Sequence, residues 1–167
     1  MKGCHLVSGP PASGKTHYAR QLAAEIGACL IDSDEVAERL VRAGMSLAGL
    51  DPDDRDSPAY KEAYREVVYE TMYDLACSNL PAVPVVIAGP FTREGGDSGW
   101  LGSLEQRLGV KPTAHFVWCD PETRRRRIAA RGEARDRPKL EAWDDYVASC
   151  REERPLWQHQ FVDTSSL

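Results

Sequence analysis

The chain of 167 residues contains no apolar run of about 18 residues, the length at which a stretch reads as a membrane-spanning helix. Its first residues also lack the apolar segment of a secretory signal peptide. These two absences argue against a membrane partner. We therefore expect a cytoplasmic protein.

A disulfide framework and a Cys-x-x-Cys metal site are both absent from the cysteine pattern of the sequence. The five cysteines are Cys4, Cys29, Cys77, Cys119 and Cys150. Because their number is odd and they lie far apart, neither kind of site is expected. We interpret them as small, buried apolar side chains.

An excess of basic residues is also missing, since 21 Lys and Arg stand against 26 Asp and Glu and the net charge is −5. A general nucleic-acid-binding protein needs a basic surface, so a nucleic-acid partner is not expected. The length predicts a single domain over residues 1–167, with little room for a second module. A monomer and a homodimer both remain open.

The most specific motif lies close to the start of the chain. Residues 9–16 read Gly9-Pro10-Pro11-Ala12-Ser13-Gly14-Lys15-Thr16, a full match to the P-loop pattern G-x-x-x-x-G-K-[ST]. In such a loop backbone N–H groups surround phosphate oxygens, Lys15 reaches the β- and γ-phosphates, and the Thr16 hydroxyl binds Mg²⁺. All eight residues are therefore predicted to bind a nucleoside triphosphate.

Short apolar strands and amphipathic helices alternate along the chain. Strands are predicted at residues 4–7, 28–31, 84–88, 114–119 and 160–162. Helices are predicted at residues 16–26, 34–43 and 58–78, the first ended by Gly27, the second by Gly44 and the third begun by Ser57-Pro58. One face of the third helix is interpreted as core packing; it consists of Tyr60, Ala63, Tyr64, Val67, Val68, Thr71, Met72 and Leu75. The alternation predicts an α/β fold of the three-layer P-loop NTPase type, with a five-stranded parallel sheet and helices on both faces.

Two carboxylates follow the second strand, in Asp32-Ser33-Asp34. Ligands of parallel α/β sheets bind beyond the carboxyl ends of the strands, so these side chains should lie near the P-loop. Asp32 is predicted to approach the Mg²⁺ ion bound by Thr16. Asp34 lies where an acceptor hydroxyl needs a proton acceptor or an orienting carboxylate. The alternative for Asp34 is that its side chain only caps the next helix.

The third strand ends without the acidic pair that a catalytic ATPase of the AAA or ABC kind would normally place there. A loop with four glycines follows instead, at residues 89–99. Arg93 in this loop is predicted to hold a substrate or phosphate group. The alternative is a surface arginine in an ion pair.

A basic segment follows the fourth strand, because eight of the sixteen residues from 124 to 139 are basic. Arg124, Arg127 and Arg131 share a helical face by their spacing. We predict an arginine-rich lid at about residues 131–139 that brings Arg131 and Arg135 to the transferring phosphoryl group, and we predict that Arg124 binds nucleotide. The alternative is a solvated, arginine-rich helix end.

Carboxylates are dense between the second and third predicted helices and in the third. They are Asp51, Asp53, Asp54, Asp56, Glu62 and Glu66. Such a surface favours a cationic or polyhydroxylated acceptor over an anionic one. Asp53, Asp54, Arg93 and Arg39 are predicted to bind this acceptor together with Asp34. The alternative is that residues 51–56 form only a solvated turn.

With these features the chain resembles the small P-loop kinases, among them shikimate and gluconate kinases, chloramphenicol phosphotransferase, polynucleotide 5′-kinase and zeta-toxin-type kinases. The resemblance covers nearly the whole chain as an order of elements, and the P-loop is its most specific part. It implies that Asp34 orients or deprotonates the acceptor hydroxyl and that a lid arginine stabilises the transferred phosphoryl group. It also implies that Asp163-Thr164, after the last strand, lies where the group contacts the purine. Residues 89–94 and 135–140 are most similar to an ATP-binding branch of these kinases. Similarity to that branch does not identify the substrate.

We therefore predict a phosphotransferase that uses Mg²⁺ and moves the γ-phosphoryl group of ATP or GTP to a hydroxyl of a small molecule, such as an antibiotic or an amino sugar. Its predicted catalytic set is Lys15, Asp34, Arg131 and Arg135. Two other classes stay open: a nucleotide-gated regulatory or binding protein, and a nucleoside or polynucleotide 5′-hydroxyl kinase. The first needs no acceptor base, and the second needs a basic channel rather than an acidic segment.

Overall fold

The computed structural model describes residues 3–55, 57–133, 136–149 and 154–166. Its strands are β1 (Cys4–Ser8), β2 (Cys29–Asp32), β3 (Val85–Ala88), β4 (Pro112–Trp118) and β5 (Gln160–Asp163). All neighbouring pairs are parallel, and the five strands form one sheet in the order β2-β3-β1-β4-β5. The predicted five-stranded parallel sheet is confirmed.

Helices connect these strands within the described part of the chain. They are α1 (Lys15–Ile26), α2 (Ser33–Leu47), α3 (Pro58–Asn79), α4 (Trp100–Leu108), α5 (Pro121–Arg131), α6 (Arg137–Glu141) and α7 (Trp143–Ser149). Gly27 ends α1 with a φ of 66°, and the Ser57 hydroxyl accepts a hydrogen bond from the Tyr60 N–H at the start of α3, as predicted. None of the described helices is long and apolar enough to cross a membrane.

The sheet is covered on both faces, because successive side chains of a strand point to opposite sides. Cys4, Leu6, Val85 and Ile87 pack with side chains of α3 and α4. Val7, Val86 and Ala88 pack with Ala19 and Ala23 of α1. The predicted arrangement of helices on both faces is therefore confirmed.

The second helix is longer than predicted, because it passes through Gly44 and ends at Leu47. A Cβ atom at Gly44 would lie 2.2 Å from the Tyr64 hydroxyl oxygen. Gly44 therefore allows α2 and α3 to pack closely and does not end the helix, which corrects the sequence-based boundary. Helix α4 was not predicted, because no helix was expected between the third and fourth strands.

The core-facing side of α3 also differs from the predicted stripe. Its buried residues are Tyr69, Met72, Tyr73 and Ala76. By contrast, Val67 is 62% exposed and Leu75 is 40% exposed. Tyr60 and Tyr64 pack on α2, whereas Val68 packs both on α2 and on the core beside the sheet. The predicted stripe is therefore correct at Met72 and Val68 and wrong at Val67 and Leu75. The reason is that α3 packs on α2 near its start and on the sheet near its end, so one straight face does not describe it.

The described cysteines are free thiols. Cys4 and Cys119 are buried, whereas Cys29 and Cys77 are half-buried. Burial raises the pKa of the Cys4 thiol to about 12, with a smaller contribution from Cys77. Cys4 is therefore a packing residue and not a nucleophile at neutral pH. Cys150 lies outside the described residues.

Candidate active site

A cavity of about 670 Å³ opens beyond the carboxyl ends of the strands, where ligands of parallel α/β sheets bind. The P-loop after β1, Asp34 after β2 and Pro90 after β3 line it. Side chains of α2, α3 and α5 also line the cavity, and Lys139 of α6 and Tyr146 of α7 complete its wall. Its volume suits a small ligand bound beside a nucleotide's phosphates.

The P-loop has a backbone conformation that depends on glycine. Gly9 has a φ of 154° and Gly14 a φ of 87°, and Ala12 also has a positive φ of 59°. A Cβ atom on Gly9 would lie 2.1 Å from the Val117 carbonyl oxygen. Gly14 precedes α1 without a side-chain cap, so the first N–H groups of the helix stay available for an anion.

Replacing Gly9 by alanine is therefore expected to lower the free energy of unfolding by roughly 2 to 4 kcal/mol, since the methyl group collides with a backbone carbonyl that cannot swing away. Gly3→Ala is the matched control, because a Cβ there meets nothing within 4 Å. Urea denaturation of both variants measures the difference. Equal midpoints for the two variants would contradict the predicted collision.

Asp32 links the P-loop helix to α2. Its Oδ2 accepts a hydrogen bond from the Thr16 hydroxyl at 3.0 Å. Its Oδ1 accepts from the backbone N–H groups of Asp34 and Glu35, at 2.9 and 3.4 Å. Asp32, and not Asp34, is therefore the N-cap of α2. The side chain of Asp34 is exposed and lines the cavity.

Lys15 lies where opposing charges meet. Removal from water lowers the pKa of its ammonium group, and this is the largest influence on it. The carboxylates of Asp34 and Asp32 raise that pKa, whereas the cations of Arg131 and Lys139 lower it further. The P-loop, the end of β2 and the lid segment thus act on one place in the cavity.

The predicted lid lies partly within the described structure. Helix α5 ends at Arg131, which lines the cavity, and its Nε donates to Oδ2 of Asp136 at 2.6 Å. Lys139 of α6 lines the cavity as well. Arg135 lies outside the described residues.

Arg124 does not reach the cavity, which corrects its predicted contact with nucleotide. Its side chain is fully buried in the first turn of α5. The shared face of Arg124, Arg127 and Arg131 points into the protein at the start of the helix and into the cavity only near its end. Helical spacing alone did not distinguish these surroundings.

Arg127 connects the P-loop to the end of the sheet. Its guanidinium donates to the Thr164 carbonyl oxygen at 2.6 Å and to the Thr164 hydroxyl at 3.0 Å. That hydroxyl donates to the Ser13 carbonyl oxygen at 2.6 Å. Arg127 was predicted only as part of the shared arginine face, and Thr164 only as a neighbour of the purine. Their contacts with each other and with the P-loop were not foreseen, since they join distant segments.

Asp163 does not line the cavity, unlike its predicted position beside the purine. Its carboxylate accepts from the Ser165 N–H at 2.9 Å and from the Ser165 hydroxyl at 2.6 Å. These hydrogen bonds lower the pKa of the Asp163 carboxyl group. Asp163 therefore shapes the turn after β5, and the neighbouring Thr164 is the residue that contacts the P-loop.

The predicted acceptor residues on the acidic loop do not line the cavity. Asp53 forms an ion pair with Arg42, and Asp54 accepts from the Ser57 N–H at 2.9 Å. Asp51 accepts from the Asp53 N–H at 2.8 Å, and Asp56 lies outside the described residues. The described part of this segment is a turn that binds its own backbone, because Asp side chains readily bond N–H groups two or three residues on.

Arg39 and Arg93 are also outside the cavity wall, although both were predicted to bind the acceptor. Arg39 is exposed on α2. The Arg93 side chain is 72% exposed and lies 3.7 Å from Glu94. The alternative of a surface arginine in an ion pair describes the position of Arg93.

Other cations line the acceptor side of the cavity, on or just before α3. Arg65 pairs with the buried Glu94 at 2.8 Å, and its guanidinium carbon lies 5.6 Å from the centre of the Tyr69 ring. Arg55 pairs with Glu38 at 3.0 Å. Lys61 lies four residues before Arg65 on the same helix, a spacing that puts both on one face. That spacing was a usable signal, but α3 was predicted to contribute packing residues and the carboxylates Glu62 and Glu66 to the acceptor surface, and not these cations.

Comparison with known proteins gives one family and several related structures. Residues 5–153 match the AAA_33 family, described as an AAA domain. A shikimate kinase from Paracidovorax citrulli (strain AAC00-1) is 39% identical over 118 residues, which are 71% of this chain and 56% of that protein. The matched part thus spans little more than half the length of this curated relative.

Two solved structures show the same fold. A protein from Chloroflexus aurantiacus j-10-fl has a TM-score of 0.70 and 17% identity, covering 98% of this chain and 89% of that one. The tunicamycin resistance protein of Deinococcus radiodurans has a TM-score of 0.59 and 19% identity, covering 99% of this chain and 87% of that one. At these identities the likeness concerns the fold alone.

Proposed function

Because the chain belongs to the AAA domain family AAA_33 and has a P-loop kinase fold, we propose that it moves the γ-phosphoryl group of ATP or GTP to a hydroxyl of a small molecule. The observation that carries the proposal is a single cavity lined by Lys15 and Thr16 of the P-loop, by Asp34, and by Arg131 of the lid segment. A phosphate-binding loop, a carboxylate near the acceptor and a cation near the transferring phosphoryl group are the parts that phosphoryl transfer needs. No acidic pair follows β3, so an ATPase of the Walker B kind is less well supported.

The phosphates are assigned to the P-loop and the start of α1. Lys15 supplies a positive charge, and the uncapped N–H groups after Gly14 supply hydrogen-bond donors. Arg127 braces this loop from α5 through Ala12 and Thr164. The loop is thereby held in one shape before the nucleotide binds, which reduces the ordering cost of binding.

Mg²⁺ fits the oxygen atoms of Thr16 and Asp32, which lie 3.0 Å apart. No group of three or more His, Cys, Asp or Glu side chains suited to a metal exists among the described residues. Mg²⁺ commonly uses one or two protein oxygens and completes its shell with phosphate oxygens and water, so this sparse pair is sufficient. When bound, the ion would neutralise negative charge on the phosphates.

Asp34 is the group assigned to the acceptor hydroxyl. Its side chain faces the cavity while its backbone N–H is fixed by Asp32. This arrangement orients the carboxylate without using it as a helix cap. Asp34 would therefore accept a hydrogen bond, and then the proton, from the attacking hydroxyl.

The lid arginine gives a prediction of its own. Arg131→Ala should lower kcat by about 100-fold while raising the KM for nucleotide by no more than about threefold, because its charge is needed most when negative charge develops in transfer. Arg125→Ala is the control, since Arg125 is exposed on α5 and lies outside the cavity wall. Steady-state kinetics of both variants measure the effect. A change confined to the KM for nucleotide would contradict this prediction, because it would mean that Arg131 binds the nucleotide equally well before and during transfer.

The finer identity of the acceptor has less support. An antibiotic or an amino sugar was expected from the acidic segment, but Asp53 and Asp54 do not line the cavity. The acceptor side carries Arg55, Lys61 and Arg65 together with Glu38 and Asp34, so its charge is mixed. We keep an antibiotic or amino-sugar acceptor as the hypothesis to test, and add anionic polyols to the test panel.

The test is direct transfer. Purified protein with Mg²⁺ATP or Mg²⁺GTP is incubated with hydroxylated metabolites and antibiotics, both cationic and anionic, and with an oligonucleotide that has a 5′-hydroxyl end. Products are analysed by mass spectrometry for a phosphate mass gain. The Lys15→Ala variant under the same conditions controls for contaminating kinases. Nucleotide binding without transfer to any acceptor would favour the nucleotide-gated binding protein, and transfer to an oligonucleotide end would favour the 5′-hydroxyl kinase.

A further inference from the structure

A buried carboxylate lies between two cations at the lid. Asp136 is 1% exposed, and its Oδ2 accepts from Nε of Arg131 at 2.6 Å. Its Oδ1 lies 3.5 Å from Nζ of Lys139. Arg131 is the last residue of α5 and Lys139 belongs to α6, so Asp136 joins the two sides of the lid segment.

Both cations act at the phosphate end of the cavity. Arg131 and Lys139 line the cavity together with Lys15 and Arg127. Their charges also lower the pKa of Lys15, which places them within electrostatic reach of the P-loop. Lys139 was predicted only as part of the lid segment. Its side chain is 14% exposed, and its ammonium lies 5.8 Å from the centre of the Tyr146 ring.

Electrostatics require something to hold these cations near each other. Arg131, Lys139 and Lys15 repel one another, and repulsion between like charges is strong where water is scarce. A buried carboxylate is itself costly unless cations and hydrogen bonds compensate it. The negative charge of Asp136 offsets the repulsion between the cations. The hydrogen bond from Arg131 to Oδ2 and the ion pair of Oδ1 with Lys139 offset the burial, although Oδ1 has no hydrogen bond among the described residues.

We infer that Asp136 is a positioning residue that sets Arg131 and Lys139 for contact with the transferring phosphoryl group, and that Lys139 is a second catalytic cation of the lid. This inference rests on the proposed phosphotransferase function. Arg131 binds Asp136 through Nε, and its two terminal nitrogens are separate donors. Asp136 is not part of the cavity wall, so it is inferred to act only through the two cations.

The variant Asp136→Asn keeps the shape of the side chain and removes its charge. We expect kcat to fall by about tenfold and the KM for ATP to change by less than about threefold, since misplaced cations matter most in the transition state. The affinity for MgADP with aluminium fluoride, a mimic of the transferring phosphoryl group, should fall by about tenfold, while the affinity for MgADP alone stays within about threefold. Calorimetry measures both affinities.

Glu141→Gln is the matched control, because Glu141 is an exposed carboxylate on the same helix α6 and is not part of the cavity wall. It should leave kcat and both affinities unchanged. A purely structural role for Asp136 would lower the melting temperature and reduce both affinities alike. That result would overturn the inference.

A mutant cycle tests whether Asp136 acts through its partners. In the background Arg131→Gln/Lys139→Gln, the further change Asp136→Asn should reduce kcat by less than about twofold, because the groups it positions are gone. The full tenfold loss in that background would contradict the inference. If Asp136→Asn fails to fold, Asp136→Glu, which keeps the charge but moves it by one methylene, enters the same cycle.

The two proposals fail in different ways. Absence of transfer to every acceptor, with normal nucleotide binding, would sink the phosphotransferase function. The aluminium fluoride measurement needs no acceptor and still decides the role of Asp136. Equal affinity of wild type and Asp136→Asn for that complex would overturn the positioning role even in an active kinase.

Discussion

Replacing Lys15 by alanine is expected to abolish phosphoryl transfer and to weaken nucleotide binding by roughly 100-fold, which corresponds to about 3 kcal/mol. The lysine lies at the start of α1, in the loop that carries the phosphate-binding N–H groups. A charged donor placed against phosphate oxygens in a partly desolvated site forms a strong hydrogen bond. No other P-loop side chain carries a positive charge, so nothing adjacent replaces it.

The fold should survive this substitution. Removal from water already lowers the pKa of Lys15, which means that the folded protein holds this charge at a cost. Deleting the ammonium group removes that cost, and the stability to urea should not fall. Lys15→Met, which keeps most of the apolar stem, separates the loss of charge from the loss of volume.

Calorimetry with MgATP and MgADP measures the effect, and Lys111→Ala serves as the control. Lys111 is exposed between α4 and β4 and does not line the cavity. An unchanged nucleotide affinity in Lys15→Ala would refute the assignment of residues 9–16 as the phosphate site. A loss in both Lys15→Ala and Lys111→Ala would indicate a general effect of charge instead.

The parts of the structure that the sequence predicted well depend on short-range signals. The P-loop is one continuous motif. Its turn needs positive φ angles at Gly9 and Gly14, which residues with side chains rarely adopt. Buried parallel strands are short apolar runs, and caps such as Ser57-Pro58 act within one helical turn. These features need no knowledge of what lies opposite them.

The parts that it missed depend on contacts between distant residues. Gly44 resembled a helix end, but its lack of a side chain accommodates Tyr64, twenty residues later. Arg65 is held at the cavity by a hydrogen bond to the carboxylate of Glu94, which lies 29 residues away in the sequence. Asp53 and Asp54 were wrongly expected to line the cavity, because the density of charge in a sequence does not determine the direction in which a carboxylate points.

The Asp34→Asn variant is expected to lose at least about 100-fold in kcat while its nucleotide affinity stays within about threefold of wild type. The reason is that the asparagine oxygen still accepts a hydrogen bond but takes up no proton. Glu35→Gln is the matched control: Glu35 is the next residue, is exposed, and pairs with Arg20 outside the cavity. Steady-state kinetics with the identified acceptor and calorimetry with MgATP provide the two measurements.

The size of the loss also separates the two roles that Asp34 can have. Phosphoryl transfer passes through a loose transition state, in which the attacking oxygen has formed little bond and has kept most of its proton. If Asp34 only orients the hydroxyl, the remaining amide oxygen preserves much of that function, and kcat should fall by about tenfold or less. A loss of about 100-fold or more requires that proton acceptance contributes to the rate-limiting step. Full retention of kcat would remove Asp34 from the site and leave the acceptor hydroxyl to be positioned by the cations of α3.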